Sequence, residues 1–230
     1  MLFEAFNKLS IASVILLILF FIASIIQLIF AFLELEKYRR IEKPFLLGLL
    51  TAFAAVTLPN HPFIYIATFM GLLGDILVIL PNKKCFYLGA LTFFLGFVFY
   101  ALEGIIFMCE GNLPIAMWVV IGVTYLVMFA MFAFFVGPRI TKKRFDSIGI
   151  GLYLSPIVTL ITIMTYLTSH IGYLMFLSLI GIIFFFASDL TITYTKFVKK
   201  FKRYDFYIMG SYLIGQVLIV LGFVLTYLVK

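Results

Sequence analysis

Residues Phe63–Leu80 read FIYIATFMGLLGDILVIL, and residues Ile171–Thr195 read IGYLMFLSLIGIIFFFASDLTITYT. Each stretch can cross a bilayer as a helix, and each carries a single charged residue, Asp75 in the first and Asp189 in the second. A helix rises about 1.5 Å per residue, so roughly 20 apolar residues span the ~30 Å hydrocarbon layer. An ionised carboxylate near the middle of that layer costs about 2.5–3.5 kcal/mol even on a lenient insertion scale. Such residues face a protein interior and carry a task. These two stretches therefore set the fold class and the first candidate site together.

Six further apolar runs accompany them: Ile11–Leu33, Pro44–Leu58, Phe86–Met108, Leu113–Val136, Ser147–Ser169 and Phe206–Val229. The chain of 230 residues is 65% hydrophobic and 12% charged, with a mean hydropathy of +1.21, too little polar surface to cover a water-soluble globule. No run shows the dyad alternation of a transmembrane barrel. The expectation is an all-α, polytopic integral membrane protein of eight transmembrane helices, forming one domain over residues 1–230. The first run lacks a cleavage pattern and is too long for a signal core, so it is expected to stay as an anchor.

The net charge of +7 reads as topology, not as a nucleic-acid footprint. Of the 17 Lys and Arg, all but Lys8 and Lys230 fall in the loops of one side: Lys37–Lys43, Lys83–Lys84, Arg139–Arg144 and Lys196–Arg203. The positive-inside rule makes those loops cytoplasmic and both termini extracytoplasmic. If the short second run failed to cross, the basic residues would divide far more evenly, which favours eight spans. A bacterial plasma membrane is the expected location.

Topology then gives depth. Asp75 lies about five residues, or roughly 7–8 Å, from the cytoplasmic end of its helix, and Asp189 about 9 Å from the same end of its own. The two carboxylates share one level, almost half the chain apart. Each belongs to the third helix of a four-helix half, and each follows a small residue, Gly74 or Ser188. This pattern suggests two parallel halves related by duplication. Lys43, just before Pro44, is expected to open the second helix at the cytoplasmic surface. Tyr100 and Gln216 lie near mid-membrane, where interhelical hydrogen bonding and a place in the site carry equal weight. Gln27 reads as an interhelical contact, and Glu103 belongs to a different environment nearer the outer face.

Other chemistries lack their residues. His61 and His170 fall in outer turns, far from the aspartate level, so no metal site is expected. Cys85 and Cys109 lie at opposite ends of a helix and cannot pair. Walker, dinucleotide and nucleophile-elbow patterns are missing. No cofactor, nucleic acid or protein partner is expected.

The segments Glu42-Lys43-Pro44, Gly74-Asp75-Ile76-Leu77 and Ala187-Ser188-Asp189-Leu190, followed by Tyr212 through Gln216-Val217-Leu218, resemble the signature of the YhhN-like, lysoplasmalogenase family. The order agrees from about Tyr38 to Gly222. One position departs from it, because members often carry a His three residues before the tyrosine, where this chain has Phe97 ahead of Tyr100.

The resemblance implies hydrolysis of the vinyl ether bond of lysoplasmalogens to a fatty aldehyde and a glycerophospho-base. Enol ether hydrolysis needs an acid to protonate carbon and a base to handle water, a division of labour that paired carboxylates perform in glycosidases. Asp75 and Asp189 are the expected catalytic pair, with Lys43, Tyr100, Gln216 and Ser188 as substrate-binding residues. The substrate would be a lysophospholipid drawn from the surrounding membrane lipids. Three alternatives stand beside this reading: a proton- or cation-coupled transporter, a hydrolase of another ether or ester lysolipid, and aspartates that serve helix packing alone.

Overall fold

The computed structural model describes residues 2–80, 82–109, 115–141, 143–170 and 172–230. Lys142 of the basic loops and Ile171 at the head of the seventh run lie outside them, as do the side chains of Lys83, Met108 and Cys109. Among the described residues all regular structure is helical: α1 (Leu2–Asn7), α2 (Ile11–Phe32), α3 (Glu36–Thr57), α4 (Pro62–Ile79), α5 (Lys83–Cys109), α6 (Ile115–Ala130), α7 (Gly137–Ile140), α8 (Arg144–His170), α9 (Met175–Phe197) and α10 (Tyr204–Val229).

Lipid and protein faces separate along each helix by the 3.6-residue period. On α2 the buried stripe is Ser13, Leu17, Phe20, Ser24, Gln27 and Ala31, at steps of three and four. Ile15, Ile18, Ile22, Ile25 and Ile29 point outward from the same helix. In water that apolar face would be a liability; in a bilayer it is the solvent-exposed side. The Ser10 hydroxyl caps the start of α2 by accepting the Ser13 N–H at 3.1 Å.

Seven helices among the described residues are long and apolar enough to span a membrane, with Ile115–Ile140 counted as one. The protein is a helical integral membrane protein. The second expected span behaves differently. Its helix, α3, has 22 residues, but six of its first eight, Glu36, Lys37, Arg39, Arg40, Glu42 and Lys43, are charged. That lowers its apolar character, so α3 is not one of the seven. Its second half packs Leu46, Leu47, Leu50, Phe53 and Ala54 into the core.

The expectation that Lys43 and Pro44 open this helix is corrected: Pro44 lies inside α3, two turns from its start. The upstream turns are held by charge. Glu36 pairs with Arg40 one turn on, and the Arg40 guanidinium holds the exposed Glu36 carboxyl below its ordinary range. Arg39 reaches Asp205 at the head of α10, 3.1 Å away. Proline cannot donate to the carbonyl four residues back. Gln27 Nε2 donates to the Arg39 carbonyl at 3.3 Å, as an interhelical contact.

Between α6 and α7, residues Met131–Val136 form a π-helical turn. The Gly137 N–H reaches back five residues to the Phe132 carbonyl, which frees the Ala133 carbonyl. Ser147 of α8 takes it, donating its hydroxyl at 2.5 Å. Pro138 follows in the first turn of α7, where its missing N–H costs least, and the regular ladder resumes with the Thr141 N–H on the Gly137 carbonyl.

α10 is the central helix, with 72% of its apolar window buried, against 11% for Ile115–Ile140 at the periphery. The most intimate pairs are α4 with α5 and α9 with α10, each joining an aspartate-bearing helix to the one that follows it.

Candidate functional site

Small residues bring the site helices together. A Cβ built on Gly181 of α9 would stand 2.6 Å from the Ile219 nitrogen of α10, and one on Gly215 would stand 2.8 Å from the Phe185 nitrogen. Backbones this close exclude any larger residue and are typical of membrane helix pairs. Ser178 and Ser188 of α9 tie the contact further, donating to the Ile219 carbonyl at 2.8 Å and the Ile208 carbonyl at 3.1 Å. On the other pair, a Cβ on Gly74 would meet the Phe93 ring at 2.7 Å. The two aspartate helices are thus fixed to backbone precision, which limits how far either carboxylate can move.

Asp75 is fully buried. Lys43 Nζ stands 2.8 Å from its Oδ1, and the Tyr212 hydroxyl donates to its Oδ2 at 2.8 Å. The ammonium also lies 5.3 Å from the Tyr212 ring centroid. A buried charge held by an opposite charge and a hydroxyl is a compensated one.

Asp189 is almost equally buried, at 2% exposure, but its surroundings differ. Tyr153, Lys43 and Asp75 are the polar side chains that act on it. Its Oδ2 is buried with no hydrogen-bond partner. Buried polar atoms are nearly always satisfied, so an orphaned carboxylate oxygen draws attention to the place that it faces.

That place is a cavity of about 460 Å³. Its deep end carries Tyr153, Phe185, Asp189 and Tyr212, its walls include Leu91, Phe93, Phe94 and Ile192, and its rim carries Phe86, Tyr87, Phe145, Asp146 and Lys196. The rim residues sit at the first turns of α5 and α8 and the last turn of α9. The cavity therefore runs from the helix ends inward to Asp189.

Lys43, Ser188 and Asp189 line the cavity. Ser188 does so with its hydroxyl committed to the Ile208 carbonyl. Asp75 is one side chain behind the wall, reached through Lys43 and Tyr212. Tyr100 and Gln216 lie elsewhere: the Tyr100 hydroxyl donates to Gln216 Oε1 at 3.5 Å, and its ring stacks on Phe223. Phe97, where a histidine often stands, is buried against Phe185 at 4.8 Å and faces Tyr153 at 6.5 Å between centroids.

Sequence reading missed Tyr153, Asp146 and Lys196, and left Tyr212 without a role. A signal was present in the spacing. Asp146 and Tyr153, Lys196 and Asp189, and Phe86 and Phe93 are each seven residues apart, two turns on one helix face.

Glu103 occupies a separate environment. At 1% exposure it accepts the Tyr227 hydroxyl at 2.6 Å and meets His61 Nδ1 at 2.9 Å, and His61 stacks on Tyr227.

The sequence pattern of the YhhN family matches residues 38–223, most of the chain, and the chain belongs to that family. No curated protein and no solved structure matches it.

Proposed function

We propose that this YhhN-family chain is a membrane-embedded hydrolase that cleaves the vinyl ether bond of lysoplasmalogens, releasing a fatty aldehyde and a glycerophospho-base. The observation that carries this reading is Asp189, a buried carboxyl with an orphaned oxygen at the deep end of an apolar cavity. Asp189 is the acid. Its proton goes to the β-carbon of the vinyl ether, the double bond shifts, and an oxocarbenium ion forms at the carbon attached to oxygen. Water adds to that carbon and gives its proton back to the Asp189 carboxylate. The resulting hemiacetal breaks its C–O bond to the glycerol, leaving aldehyde and alcohol.

Asp75, ionised beside Lys43, acts through its neighbours. It holds Lys43 and the Tyr212 hydroxyl at the cavity wall and adds negative charge near the developing cation. Tyr153 orients the Asp189 carboxyl. No cofactor is needed for this chemistry. In the same reading α3 completes eight spans, the basic loops face the cytoplasm, both termini lie outside, and the rim of the cavity is at the inner headgroups.

A proton-coupled transporter is the second reading, favoured by two acids at one level and by Pro156 within α8. Mass spectrometry of purified protein incubated with a panel of lysoplasmalogens and their saturated ether analogues separates the two. Aldehyde released from vinyl ethers alone supports hydrolysis; flux into liposomes without any product supports transport.

A further inference from the structure

The rim of the cavity holds one anion and one cation, Asp146 and Lys196, in a ring of aromatic side chains. Asp146 Oδ1 accepts the Tyr87 hydroxyl at 3.2 Å. The Tyr87 ring packs edge-on to Phe86 at 5.8 Å and to Phe145 at 6.0 Å between centroids. Phe145 and Tyr87 are 73% and 49% exposed, so these faces are open. The face of Phe86 already holds one ammonium, that of Lys196. A carboxylate among open aromatic faces is the environment that attracts an organic ammonium.

The cavity is also deep enough to hold a headgroup and a vinyl ether at once. Lys196 and Asp189 lie on one face of α9, and Asp146 and Tyr153 on one face of α8, two turns apart in both cases. Two turns are about 11 Å of helix. In a 1-alkenyl lysophospholipid, phosphorus is seven bonds from the carbon that must be protonated, on the order of 9 Å when extended, from bonds of about 1.5 Å. A phosphate at Lys196 therefore places the vinyl ether at Asp189, and the amine of the headgroup falls beside Asp146.

We infer that Asp146, with Tyr87 and Phe145, forms a subsite for the ammonium of a zwitterionic lysophospholipid headgroup, and that Lys196, held over Phe86, takes its phosphate. Asp146 is then the residue that sets headgroup preference. Lys43, which the sequence places at the headgroup, is held at the other end of the cavity by Asp75. This subsite rests on the lysolipid reading of the cavity but not on the hydrolytic chemistry at its deep end.

Binding of saturated 1-alkyl lysolipids, which carry no vinyl ether to cleave, tests it without turnover. Two probes suffice, one with a phosphocholine headgroup and one with phosphoglycerol, titrated into the purified full chain in nanodiscs. Asp146 also acts on Lys196, so the readout is the ratio of the two affinities: Asp146→Asn is expected to lower the preference for phosphocholine over phosphoglycerol about tenfold. Lys196→Gln is expected to weaken both. Tyr87→Phe, which keeps the aromatic face, should retain most of the preference and shows that the rim is still folded. An unchanged ratio of the two affinities in Asp146→Asn overturns the subsite. A shifted ratio in a protein that releases no aldehyde from vinyl ethers upholds the subsite and removes the hydrolase instead.

Discussion

Two regions of this protein bury carboxylates, and they do so on opposite terms. Glu103 is enclosed by His61 and the Tyr227 hydroxyl, both donors aimed at one oxygen, and none of the three lines the cavity. Asp189 is just as deeply buried, yet one of its oxygens has no partner and the group faces open volume. Burial of charge is therefore not the mark of a site. In the proposed reading the first carboxylate ties helices together, whereas the second, beside a cavity, is held for a ligand. Asp75 stands between the two, its charge paired with Lys43 and its other oxygen bonded by Tyr212, both residues of the cavity wall.

The sharpest way to break this contrast is to neutralise each carboxylate. Asp189→Asn is expected to lower aldehyde release by about 10²–10⁴-fold, the usual contribution of a positioned acid, with the melting temperature held. Glu103→Gln is expected to do the reverse, keeping turnover within a few-fold while lowering thermal stability. Equal losses of turnover in both would erase the distinction.

Asp75→Asn tests the intermediate case. It leaves the Lys43 ammonium without its anion in a mostly buried setting, a change that costs about 3–5 kcal/mol when a buried pair is broken. The expectation is a marked drop in thermal stability together with loss of activity. Adding Lys43→Met should restore much of the stability and none of the turnover. Recovery of activity in the double variant would show that Asp75 only balances Lys43.

The backbone contacts come next in size. Gly215→Ala should cost about 1–3 kcal/mol, because its methyl enters the α9 backbone and pushes Asp189 away from α10. Gly48→Ala, with nothing within 4 Å of the added carbon, serves as the matched control and should gain about 0.5–1 kcal/mol from helix propensity in the same unfolding assay.

What the sequence could and could not convey follows from these residues. Long apolar runs and the lone charges inside them are legible, because the bilayer penalises every exception. The matched placement of Asp75 and Asp189 in their helices was legible for the same reason. The partners were not. Tyr153 and Tyr212 are two among 13 tyrosines in a chain where aromatic residues make up 19%, and composition gives no reason to single them out. Lys43 reads as a headgroup cation until three-dimensional packing shows it spent on Asp75. The start of α3 was misplaced because Pro44 is a common first-turn residue, and the upstream charged turns that carry the helix past it look like loop.

Smallest in effect is the outer cluster's own hydrogen bond. Tyr227→Phe removes a donor to Glu103 and should cost about 1 kcal/mol, read as a modest fall in melting temperature at unchanged turnover.

Turnover in heavy water tests most directly whether Asp189 protonates carbon. Purified protein and Asp189→Asn are incubated with a 1-alkenyl lysophospholipid in D2O, and the aldehyde is analysed at once by mass spectrometry. The expected result is one deuterium on the carbon next to the aldehyde group with the unaltered protein, and almost no aldehyde with the variant. Aldehyde free of carbon-bound deuterium, or undiminished release by Asp189→Asn, would contradict it.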